Sequence, residues 1–87
     1  MAYTVLFKPS AQKTLSKLSE QLQKRIVKKA MALAGNPRPM GSEKLSGYEN
    51  RYRIRVGDYR VVYMIEDDRL IVTIIDLGHR REIYRGA

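Results

Sequence analysis

Residues 51–63, RYRIRVGDYRVVY, space their guanidinium groups in a way that suits phosphate chemistry. Read as strand, tight turn, strand, the segment sends Arg51, Arg53 and Arg55 to one face and Tyr52, Ile54 and Val56 to the other. Gly57-Asp58 suits a two-residue hairpin, since glycine at the first central position permits a type II′ turn. That register sets Val56 opposite Tyr59, Arg55 opposite Arg60 and Arg53 opposite Val62. Tyr59, Val61, Tyr63 and Ile65 then extend the apolar face. Like charges placed directly opposite one another repel. A sheet that sets Arg55 beside Arg60 is therefore expected to meet an anion. Phosphate fits best, because the guanidinium fork matches its oxygens.

The tail adds three more groups of interest. Gly78-His79-Arg80 can deliver polar side chains to the arginine face, and Tyr84 follows with a ring able to stack on a base. Clustered guanidiniums beside a phosphodiester neutralise the charge of a pentavalent transition state. The bland reading of the same residues is a solvated strand surface, with Arg53, Arg55 and Arg60 paired to acids such as Glu43, Glu49 or Asp76. His79 is read there as a surface or structural residue, and Tyr84 is ambiguous. Tyr52, Tyr59 and Tyr63 fall on the apolar face and are expected in the core. No metal-ligand spacing, protease-like triad or glycine-rich phosphate loop occurs, so neither metal nor cofactor is expected.

The charge distribution supports an anionic partner. The chain has 87 residues and a net charge of +8. Lysines fill its first half (Lys8, Lys13, Lys17, Lys24, Lys28, Lys29, Lys44), whereas eight of ten arginines follow residue 50. Helix lysines usually form a solvated face; arginines concentrated on strands imply a nucleic acid or an acidic protein segment. There is no cysteine, which excludes disulfides and thiolate metal sites. No apolar run is long enough to span a bilayer, and MAYTVLFK lacks a signal-peptide pattern. A single cytoplasmic domain over residues 1–87 is expected.

Residues 3–7 (YTVLF) read as a strand. Pro9-Ser10 opens a helix with Ala11, Leu15 and Leu18 on one stripe. Ser19 is the N-cap of a second helix, whose stripe is Leu22, Ile26, Ala30 and Leu33, with Gly35 as its C′ residue. Residues 35–44 are a loop, and residues 45–48 a short strand. Leu70 to Leu77, apolar on both faces, suits a doubly covered strand. The expected class is α+β: an antiparallel two-helix hairpin on one face of a mostly antiparallel sheet of about four strands, with the arginine face open.

The order strand, helix hairpin, then KLSG…YRIRVGDYRVVY…LIVTII…GHRREIY resembles the RelE/ParE toxin superfamily, and most of all RelE, its ribosome-dependent mRNA interferase. The likeness spans essentially the whole chain and is most specific at Lys44–Gly47, Tyr52–Tyr63 and Gly78–Tyr84. It implies a RelE-like, microbial-ribonuclease-like fold. It also implies a type II toxin that enters the ribosomal A site and cleaves mRNA by 2′-hydroxyl attack on the adjacent phosphate. A cognate antitoxin would wrap the toxin through an acidic or amphipathic segment in a hetero-oligomer. By position, Arg60 would stabilise the phosphate, Arg80 would stabilise charge and protonate the leaving group, and Tyr84 would stack on the displaced base. Arg51, Arg53, Arg55, Arg81 and Lys44 are expected to bind RNA. Arg53 and Arg55 stand where well-studied RelE proteins have lysine, and arginine does not lose its proton. His79, with a pKa suited to neutral pH, is then the expected general base or orienting group. The alternative reading is a ParE-like inhibitor of DNA gyrase with no ribonuclease activity; the same fold supports both.

Overall fold

A computed structural model describes residues 2–79, so Arg80, Arg81 and Tyr84 lie outside the described residues. The chain runs β1 (Thr4–Phe7), α1 (Pro9–Ser16), α2 (Glu20–Ala32), β2 (Glu43–Lys44), β3 (Arg51–Val56), β4 (Tyr59–Glu66) and β5 (Ile71–His79). The strands form one sheet in the order β1-β5-β4-β3-β2. Among the described residues only the β1–β5 pair is parallel. Both helices pack on one face, which is the expected α+β arrangement with one more short strand.

Local rules explain most of the boundaries. Proline opens α1, where its missing N–H has no intrahelical partner to lose. Ser19 caps α2, its hydroxyl accepting from the Leu22 N–H at 3.2 Å. Ala11, Ile26, Ala30 and Leu33 are buried against Ile54, Val61, Tyr63, Ile65, Val72 and Ile74. The end of α2 differs from expectation. Gly35 does not take a left-handed φ. Instead Leu33, Ala34 and Gly35 donate to the carbonyls three residues back, tightening the last turns. Gly57 has φ 59 and Asp58 does not follow it into positive φ, as a type II′ turn requires.

The sheet departs from the sequence reading at three places. The short strand is Glu43–Lys44, not 45–48. Its pairing with Arg53 and Tyr52 closes when the Leu45 N–H donates to the Arg51 carbonyl at 2.9 Å. Leu70 lies in the turn, with φ 54, and its carbonyl accepts from the Thr4 N–H. Most important, β5 carries a bulge. Val62 pairs with Asp76 but Tyr63 pairs with Ile74, which leaves Ile75 as the extra residue. Core-facing positions on β5 are therefore Val72 and Ile74 before the bulge and Leu77 after it, while Asp76 is exposed. The phase of the strand switches midway, so Val72, Ile74 and Leu77 all face the core although they do not follow one uninterrupted alternation.

The long α2–β2 loop is pinned by polar contacts. The Tyr63 hydroxyl donates to the Pro37 carbonyl at 2.7 Å, and Arg38 pairs with Asp67 at 2.8 Å while its Nε donates to the Tyr52 hydroxyl. Tyr3 donates to the same Asp67 carboxylate. Hydrogen bonds from Arg38 and Tyr3 hold the Asp67 carboxyl below its ordinary value of 3.8. Because the folded-state pKa is depressed, this contribution is complete above the unfolded value and is lost as pH falls through the folded one. Thermal melts across acid pH are therefore expected to fall below about pH 4. Asp67→Asn should melt lower than the parent at neutral pH and close that gap as pH drops. A gap that stays constant with pH would exclude this role for Asp67.

Candidate active site

The arginine face is set by the β3–β4 hairpin, whose register is the one its sequence implies: Arg55 opposite Arg60, Arg53 opposite Val62 and Val56 opposite Tyr59. Arg60 is 6% exposed, the buried charged residue among those described, whereas Arg55 is exposed. Cross-strand pairing thus sets two arginine positions beside each other, one exposed and one in a low-dielectric setting. Arg51 follows on the same face by alternation. Its guanidinium lies 4.4 Å from the centre of the Tyr48 ring in a cation–π contact, and Tyr48 is itself half exposed.

Glu43 joins this group from β2. It is the cross-strand partner of Arg53, and its Oε2 accepts from the Arg53 guanidinium at 2.7 Å. The hydrogen bond from Arg53 and that residue's charge hold the Glu43 carboxyl below its ordinary value of 4.5, and the charges of Arg55 and Arg60 push the same way. Sequence reasoning considered Glu43 only as a surface ion-pair partner. The signal that could have located it was its position before KLSG, where a short edge strand was able to pair with Arg53.

The other expected residues divide. His79 pairs with Tyr59, and its ring meets the Tyr59 ring edge-on at 5.8 Å between centroids. Arg60 pairs instead with Gly78. Successive residues of a strand alternate faces, so His79 shares the helix-side face with Tyr59 and lies across the sheet from the arginines. Lys44 pairs with Tyr52, which also places it on the face opposite Glu43 and Arg53. The structure thus brings Arg51, Arg53, Arg55 and Arg60 together and separates His79 and Lys44 from them. Arg80, Arg81 and Tyr84 lie outside the described residues. No group of three acidic or histidine side chains that would suit a metal is found among the described residues, and none of their helices is long and apolar enough to cross a membrane.

Comparison with known proteins agrees with this architecture. A family model described as "ParE toxin of type II toxin-antitoxin system, parDE" matches residues 5–84. The chain is 32% identical over 91 residues to the mRNA interferase toxin RelE of Escherichia coli K12, covering 100% of this chain and 95% of that protein. A solved structure of a double arginine-to-alanine mutant of E. coli toxin RelE in the free state superposes with a TM-score of 0.82 at 30% identity, over 98% of this chain and 93% of that one. The RelBE2 toxin–antitoxin complex of Mycobacterium tuberculosis gives a TM-score of 0.80 at 29% identity, over 92% and 100%. The chain belongs to the RelE/ParE superfamily of toxins from type II toxin–antitoxin systems, and its relatives in sequence and in structure are RelE toxins.

Proposed function

We propose that this protein is a ribosome-dependent endoribonuclease that cleaves mRNA in the ribosomal A site and so arrests translation. The observation that carries the reading is the meeting of Arg53, Arg55 and Arg60 on one sheet face, which is exposed at Arg55 and, against the expectation of an open face, buried at Arg60 and Val62. That arrangement suits the extra charge that develops on a phosphodiester as the 2′-hydroxyl attacks it. In this reading Arg60 and Arg55 hold the phosphate and Arg53 and Arg51 guide the adjoining backbone. Arg80 supports the leaving group, Arg81 adds backbone contact, and Tyr84 stacks on the displaced base. No side chain in the scheme calls for a metal. The proposed inhibitor is a cognate antitoxin whose acidic or amphipathic segment covers the basic surface, as suits a chain of net charge +8.

The second reading, a gyrase inhibitor, is kept because the matching family model is described by ParE. Primer extension on an mRNA translated in a reconstituted system separates the two. Purified protein is expected to give cuts within A-site codons when ribosomes are present and none when they are omitted. Intact mRNA in both reactions, with inhibition of supercoiling by gyrase, would overturn the ribonuclease reading.

A further inference from the structure

We propose that Glu43 is the general base of the cleavage, accepting the proton of the attacking 2′-hydroxyl; the proposal rests on the ribonuclease reading above. The reaction needs a proton acceptor on the arginine face, and arginine does not serve as one. His79 lies across the sheet with its ring on Tyr59. Asp76 reaches that face from β5 opposite Val62, not directly opposite an arginine, whereas Glu43 is the cross-strand partner of Arg53. Glu43 is tied directly to the arginine face: its Oε2 accepts from Arg53 at 2.7 Å, and in the step proposed Oε1 is the oxygen that meets the substrate hydroxyl. In the step proposed, the 2′-hydroxyl proton moves to Oε1 and the freed O2′ electron pair forms the bond to phosphorus. The P–O5′ bond then breaks with its pair on O5′, which takes a proton from a water molecule, and the hydroxide left is neutralised by the proton that Glu43 gives up. The products are a 2′,3′-cyclic phosphate and a 5′-hydroxyl.

The ion pair explains how a weakly basic carboxylate serves. A phosphate arriving between the arginines competes for the Arg53 guanidinium and loosens its bond to Glu43. Losing that partner raises the carboxylate's proton affinity at the moment substrate is in place. The charged groups facing Glu43 are Arg53 and Arg55 from β3 and Arg60 from β4, while Lys44 on its own strand points to the other face. All three arginines keep their charge at every working pH, so Glu43 stays ionised at neutrality and supplies no titration there. A histidine or lysine base would instead make the rate climb with pH.

Single-turnover cleavage of mRNA on programmed ribosomes by the full chain tests this. The wild-type rate should be flat between about pH 6 and 8. Glu43→Gln, which keeps an oxygen for Arg53, should slow cleavage about 10²–10⁴-fold with ribosome binding unchanged. Glu43→His should restore part of the rate and make it rise through about pH 6.5. Glu43→Gln within about threefold of wild type, far short of the loss expected for a missing base, overturns the assignment while leaving the ribonuclease reading intact. A wild-type rate that climbs roughly tenfold per pH unit does the same. Wild-type protein that leaves ribosomal mRNA intact overturns both.

Discussion

Arg60→Ala is expected to slow ribosome-dependent mRNA cleavage by about 10²–10³-fold, the loss typical of removing one preorganised group from a developing anionic charge. The size follows from burial. Arg60 is 6% exposed, so its charge acts on a phosphate with little solvent screening. Arg55, directly opposite but exposed, works in a setting where water competes, and Arg55→Ala should cost about tenfold, near the weak end of charge effects. Arg60→Lys tests the fork itself: it keeps the charge but loses the paired N–H groups, and an intermediate rate is expected. Circular dichroism and a thermal melt establish that each variant is folded before rates are compared. Equal losses for Arg55→Ala and Arg60→Ala would mean that burial confers no advantage, and wild-type activity in both would place the phosphate elsewhere.

The hairpin that builds this face was readable in full from sequence. Period-two alternation fixes which side chains share a face, and a Gly-Asp turn of two residues leaves one register. Ser19 and the Leu22–Leu33 stripe were readable for the same reason: capping and helical periodicity are local. The position of His79 was not. Extending the alternation of Val72 and Ile74 without interruption puts residue 79 on the arginine face. The bulge at Ile75 shifts the phase by one residue and turns His79 to the opposite side. Nothing in IVTIIDLGH marks that bulge, because isoleucine suits either face of a half-buried strand. Glu43 was hidden differently. A two-residue strand has no periodicity, and its pairing with Arg53 depends on a loop held by residues far away in sequence, such as Asp67 on Arg38.

Tyr63 carries the largest expected effect on stability. It is fully buried, stacks on Tyr52 with ring centroids 6.1 Å apart, and sits in the core between the sheet and α2. Tyr63→Ala removes an aromatic ring from a site whose neighbours are held by three strands, so collapse into the space is limited. A loss of about 3–5 kcal/mol is expected, which is a large part of what a domain of this size possesses. Urea denaturation should show it as a shifted midpoint with an unchanged slope. Tyr63→Phe isolates the hydroxyl. It leaves the Pro37 carbonyl without its 2.7 Å donor and should cost about 1–2 kcal/mol. Burial also pushes the Tyr63 phenol up to about 12. A folded-state pKa raised above the unfolded one gives stability that is complete below about pH 10 and is lost as pH rises toward the folded value. The parent should therefore weaken over that alkaline window more steeply than Tyr63→Phe. The same bond anchors the loop that leads into β2, where Glu43 meets Arg53. Tyr63→Phe should accordingly slow cleavage by a few-fold while leaving its pH profile flat, which separates a loosened scaffold from a missing base.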